Sequence, residues 1–190
     1  MKYYRETTRK GISKFKKVFV FIVLISVFGF IVSLSYINGF VLSANKPKEG
    51  EHITLDLVNK TRGDQGVSSF IWNSKLADAA LQKANSMVGE KYFDHASKNG
   101  KTPWDFMEEN GYKYIYAGEN LAIDFQDLQD AENALENSKT HMDNIVNPKF
   151  KEFGSAVVKG EIFDYESNIY VQMFGTQQLY LERILTDINR

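Results

Sequence analysis

The chain has 190 residues, 43% of them apolar, no cysteine and a formal net charge of -1. Zero cysteine excludes disulfides, thiolate zinc sites, iron–sulfur clusters, a lipid-modified cysteine anchor and a thiol nucleophile. The near-neutral total hides a split: seven basic residues stand against Glu6 alone in 1–17, 18–44 is uncharged, and the remainder holds sixteen basic and twenty-three acidic residues with no basic stripe, which argues against nucleic acid as a partner.

Residues 1–17 read as a basic cytoplasmic flank, and 18–44 as a transmembrane anchor or a signal peptide. The stretch from Val18 to Ile37 (VFVFIVLISVFGFIVSLSYI) has twenty uncharged residues. At about 1.5 Å rise each they match a hydrocarbon core of roughly 30 Å, so the lipid bilayer is the expected partner of this stretch. The positive-inside rule puts the amino terminus in the cytoplasm and the rest outside. A cleaved signal peptide is the alternative, with Ser33-Leu34-Ser35 or, less well, Leu42-Ser43-Ala44 as the cut. The apolar run exceeds the ~7–15 residues a signal needs, which favours a single-pass membrane protein over a secreted one. Either route exports the remainder of the chain.

Residues 45–54 begin NKPKEGE and read as a solvated linker; 55–176 then form one domain and 177–190 a tail. About 130–145 residues suffice for one packed core. Ile53, Leu55, Leu57 and Val58 open a first helix that Gly63 and Gly66 end. Asn73 or Ser74 caps a long second one, whose apolar face runs Leu76, Ala79, Ala80, Lys83, Ala84, Met87 and Val88. Thr102-Pro103-Trp104-Asp105 is a third helix start. Tyr112, Tyr114 and Tyr116 alternate towards Gly118-Glu119-Asn120. Asp127 caps a helix with Leu128, Ala131 and Leu135 on one side, and Ser138 caps a short one carrying His141 and Ile145. Strand-like runs at 153–158 and 169–174, separated by GEIFDYESN, form a β-hairpin. Leu181, Ile184, Leu185 and Ile188 mark an amphipathic tail. Helices first and an antiparallel pair late indicate an α+β layered domain.

Three histidines are present. His52, beside the polar linker, reads as an exposed bystander. His95 and His141 each leave or enter a helix, and a lone histidine there is more often structural than a ligand. Glu119, a carboxylate within an aromatic and apolar stretch, needs a partner if it is buried. Were the fold to gather His95, His141 and Glu119, they would hold Zn²⁺ with a position open for water, or relay protons without metal. Spacing alone decides neither, and an HExxH helix is absent.

The order of LDLVNKTRGDQGVSSFIWNSKLADAALQKANSM, YFDHASKNGKTPWDFMEENGYKY, AGENLA, NSKTHMDNIVNPKFKEFGSAVVKG and YVQMFG resembles the bacterial branch of the CAP superfamily, the SCP-like extracellular domain. The resemblance covers about Leu55 to Gly175. It implies an α–β–α sandwich with a central antiparallel sheet and a cleft where His95, Glu119 and His141 converge. By this likeness His95 and His141 are ligands of Zn²⁺ or another divalent metal, and Glu119 is the catalytic carboxylate if there is chemistry. Asn120, Asn144 and Ser138 stand beside them, the two asparagines as hydrogen-bonding braces. The chain departs from the pattern at three places. Leu135 occupies a tryptophan position, Ser138 a second cleft glutamate, and Lys139-Thr140 the usual Pro-Gly. Glu136 lies on a different helical face. Trp72 and Trp104 fall at core positions of the family.

The leading functional expectation is an exported binding module for a surface ligand: a lipid, a cell-wall fragment or a protein. A metal-assisted, peptidase-like hydrolase using His95, His141 and Glu119 is one alternative, and a non-catalytic structural surface domain is another. The missing cysteines point to a prokaryotic member, held by packing alone.

Overall fold

The computed structural model describes residues 49–177, with side chains from Ile53 onward. The basic flank, the apolar run and the amphipathic tail lie outside that range, as does the side chain of His52. Among the described residues no helix is long and apolar enough to cross a membrane. All of them belong to the second of two units, Asn45–Arg190.

The elements in chain order are α1 (Glu49–Asp64), β1 (Ile71–Trp72), α2 (Ser74–Glu90), α3 (Pro103–Glu109), β2 (Tyr114–Ile123), α4 (Leu128–Asn137), α5 (Lys139–Ile145), β3 (Glu152–Ile162) and β4 (Tyr165–Gln177). Local chemistry accounts for most starts. The Asn73 side chain accepts from the amides of Lys75 and Leu76, and Asp127 from that of Asp130. Thr102 and Asp105 cap each other reciprocally, with Pro103 in the first turn. Helix α1 begins at Glu49, inside the stretch that composition assigned to a linker; a charged stretch need not be a linker, because Glu and Lys are good helix formers. Ser138 starts α5 but its side chain makes no capping bond.

The four strands lie in the order β1-β3-β4-β2, a mixed α+β arrangement. β3/β4 and β4/β2 are antiparallel, but β1 runs parallel to β3, so the sheet is not the purely antiparallel one expected. The physical reason is connection length: everything from α2 to α5 intervenes between β1 and β3, and a parallel partner needs a long crossover. The β3/β4 hairpin is also tighter than the polar connection suggested. Phe163 and Asp164 alone make the turn, at φ 55° and 66°, and the residues around them pair through to Ile162 opposite Tyr165. Positive φ at both central residues matches the right-handed strand twist.

Successive residues of β2 and β4 feed opposite faces. Leu121, Ile169, Val171 and Met173 pack with Leu76, Ala80 and Met87 of α2 and Phe106 and Met107 of α3. Ala122, Tyr170 and Phe174 join Val58 of α1, Ala131 and Leu135 of α4 and Ile145 of α5. Helices thus cover both faces. Gly154 allows α2 to lie on the sheet: a Cβ there would come within 2.2 Å of the Ala77 amide nitrogen.

Three charged side chains are fully buried in these layers: Arg62, Lys83 and Glu132. Arg62 donates to the carbonyls of Ser68, Ile145, Asn147 and Phe150 and lies 3.7 Å over the Phe70 ring. It therefore ties the end of α1 to the α5–β3 connection.

Candidate functional site

Strand β2 brings Gly118, Glu119 and Asn120 to one edge of the sheet, the α2–α3 connection brings His95, and α5 brings His141 and Asn144. His95 Nδ1 lies 2.6 Å from Glu119 Oε1. The histidine side chain is 60% exposed and the glutamate only 2%, so the carboxylate stands behind the ring and the ring faces solvent. Donation from Nδ1 to the carboxylate leaves Nε2 for whatever enters the cleft. The hydrogen bond with Glu119 holds the His95 imidazole above its ordinary pKa. Burial pushes the Glu119 carboxyl up, with His95 and Lys83 opposing. Its second oxygen, Oε2, is buried with no hydrogen-bond partner.

The backbone bearing His95 is set by Lys83. Its ammonium donates to the carbonyls of Asp94 and His95 at 2.7 and 2.8 Å and to the Tyr92 hydroxyl at 3.2 Å. Burial lowers the Lys83 pKa, while Glu119 and Asp94 raise it.

On the other side, Asn144 Nδ2 donates to the Glu119 carbonyl at 3.1 Å and to Asn120 Oδ1 at 2.9 Å. Asn120 Nδ2 donates to the His141 carbonyl at 3.1 Å. The two asparagines thus join β2 to α5. The His141 ring is half-buried; burial first, and then the charge of His95, lowers its pKa. Ser138 sits at the junction of α4 and α5, where its hydroxyl meets that of Thr140 at 3.3 Å. Glu136 accepts from the Thr61 hydroxyl of α1.

A cleft of about 410 Å³ opens over the pair, lined by His95, Thr102, Trp104, Gly118, Glu119 and Asn144 among others. Trp104 is a correction to the sequence reading. It is 37% exposed, with its ring 6.1 Å from that of Tyr114, and forms a wall of the cleft. Trp72 is core, 4% exposed. Among the described residues, no group of three or more His, Asp and Glu is arranged to hold a metal ion. What the geometry offers is one imidazole backed by a buried carboxylate and a second imidazole within its electrostatic reach.

Sequence reasoning missed Lys83, Glu132 and Gln172 as parts of this region. A signal existed for two of them, Lys83 and Glu132, since each is a charged residue at an apolar-face spacing of its helix.

The family model described as "CAP: Cysteine-rich secretory protein family" matches residues 55–174. The chain belongs to the CAP family. A CAP relative, the uncharacterized protein YkwD of Bacillus subtilis, is 32% identical over 124 residues, 65% of this chain and 46% of that protein. The uncharacterized membrane protein YlbC of the same organism is 30% identical over 103 residues, 54% of this chain and 30% of that one. Among solved structures, an extracellular SCP-domain protein from Bacillus anthracis matches with a TM-score of 0.58 at 27% identity, over 67% of this chain and 40% of the other. An outer surface protein from Borrelia burgdorferi matches with a TM-score of 0.58 at 20% identity, over 67% and 92%, a likeness of fold. The chain spans less than half the length of the two curated relatives. It is a CAP domain of bacterial type.

Proposed function

We propose that this protein is an exported, membrane-anchored CAP module that binds a surface ligand in the cleft above His95 and Glu119, with a divalent metal held by His95 and His141. The 2.6 Å contact between His95 Nδ1 and Glu119 Oε1 carries the reading. A ring fixed from behind by a buried carboxylate, with its other nitrogen towards solvent, is the usual setting of a metal-ligating histidine. His95 and His141 would supply two nitrogen ligands to Zn²⁺ or a similar ion, fewer than the three or four protein ligands of most zinc sites, and the other coordination positions would fall to water or to the bound partner. A metal there would supply Lewis-acid polarisation of a ligand oxygen. The export pattern of residues 1–44, and relatives described as extracellular and as a membrane protein, support an extracellular placement. The surface ligand is a lipid, a cell-wall fragment or a protein, with Trp104 and Thr102 offering an apolar wall and a hydroxyl.

A hydrolase is the second reading, favoured by the same dyad. Because Glu119 is shielded, the group that reaches water is His95 Nε2, and the carboxylate acts through the ring.

Calorimetric titration of the full chain in detergent with Zn²⁺ tests the metal. Saturable binding that His95→Ala and His141→Ala each abolish is the expected result; binding that survives both substitutions, or none in the parent, overturns it.

A further inference from the structure

Glu132 of α4 is fully buried, and its Oε1 has no hydrogen-bond partner. A carboxyl in the core is costly unless its neighbours are arranged around it. Here Oε2 accepts from Gln172 Nε2 at 2.7 Å and from the Tyr170 hydroxyl at 3.2 Å. Gln172 stands directly opposite Asn120 in the β2/β4 register. Its remaining atom, Oε1, accepts from Asn120 Nδ2 at 3.0 Å. Asn120 continues to the His141 carbonyl and to Asn144, and Asn144 to the Glu119 carbonyl.

The row therefore contains three amides strung between acceptor-only ends. Glu132 Oε2 is one end; the backbone carbonyls of His141 and Glu119 are the other. An amide is nearly symmetric in shape, so only its partners decide which side bears oxygen. Between these ends, a single orientation of Gln172, Asn120 and Asn144 avoids both acceptor facing acceptor and donor facing donor. The free Oε1 can take any proton the carboxyl acquires, so Oε2 remains an acceptor in either state.

We infer that Glu132 is a positioning residue of the cleft, anchoring through Gln172 the Asn120–Asn144 bridge that holds the backbone at Glu119 and His141. The inference rests on that cleft being the functional site, but its readouts are amide signals, so its failure is distinguishable from a failure of metal binding.

The test is hydrogen exchange of side-chain amides by NMR on the ¹⁵N-labelled full chain in detergent micelles. In the parent, the Asn120 and Asn144 amides are expected to exchange slowly. Glu132→Met keeps the volume and removes the acceptor; exchange at both should accelerate about tenfold or more, the equivalent of one hydrogen bond. Glu132→Gln retains an oxygen and should stay close to the parent. Leu135→Ala, which deletes a buried neighbour on the same helix, controls for loss of stability and should leave both amides protected. Unchanged exchange in Glu132→Met, or equal acceleration in Leu135→Ala, overturns the inference. If Glu132→Met does not fold, the parent and Glu132→Gln decide: protection in both supports it, and fast exchange in either overturns it.

Discussion

The Lys83 ammonium lies 2.8 Å from the backbone carbonyl of His95, twelve residues away, and is fully buried there. A long cationic side chain from α2 thus fixes the loop that presents the exposed ring of the cleft. Removing it leaves two carbonyls and a tyrosine hydroxyl short of a donor. Lys83→Met should therefore destabilise the protein by about 2–4 kcal/mol. Chemical denaturation measures that loss, and broadened NMR signals of His95 would report the freed loop.

The His95–Glu119 pair makes a prediction about pH. Contact with the carboxylate raises the His95 pKa above its ordinary 6.5. A histidine raised in the folded state contributes stability that is complete below the unfolded pKa and is lost as pH rises through the folded one. Glu119→Gln keeps a hydrogen bond but removes the charge, so the His95 titration should fall back towards its ordinary value. Imidazole chemical shifts followed against pH check this; an unmoved midpoint would show that Glu119 does not govern the ring.

Glu132 predicts a second dependence of the same sign. Burial raises its carboxyl from 4.5 to about 7. A carboxyl with the higher folded pKa binds more protons folded than unfolded, so its contribution falls as pH rises from about 4.5 to about 7. Glu132→Gln is neutral throughout. It should exceed the parent in stability by ~2 kcal/mol at pH 8, and that advantage should vanish near pH 4.5. Denaturation midpoints at the two pH values measure the difference.

Gly118 tests how closely the cleft floor is packed. A Cβ on this residue would stand 2.8 Å from two ring atoms of Phe150 and 3.4 Å from Asn144 Oδ1. Gly118→Ala should cost about 1–3 kcal/mol through overpacking. It should also shift the Asn144 side-chain amide signals, which a surface glycine such as Gly63 changed to alanine would not.

Much of the fold is legible in the chain because its signals are local. The caps at Asn73, Thr102 and Asp127, the apolar faces of α2 and α4, and the change to a period of two after residue 152 are all written within a few residues of the elements they specify. The full length of the hairpin is hidden because a polar, solvent-facing strand has the composition of a loop. Lys83, at the spacing of Ala79, Ala80 and Ala84, and Glu132, beside Ala131 and Leu135, are charges on core faces. Arg62 repeats the pattern after Leu55 and Val58. In each case the anomaly is visible along the chain, and its partners are not.

The residues in their linear order are enough to establish the charge split, the absence of cysteine chemistry, the membrane-length apolar run, the capped helix starts at Asn73, Thr102 and Asp127 and the succession of motifs that marks a CAP domain. It takes the folded chain to put Glu119 behind His95, to set Trp104 at the border of the cleft, and to join Glu132 through Gln172 to Asn120 across three elements. The difference is one of range. Capping and periodicity act over three or four residues, whereas these contacts bridge 24 to 52 positions and exist only once the two helical layers close on the sheet.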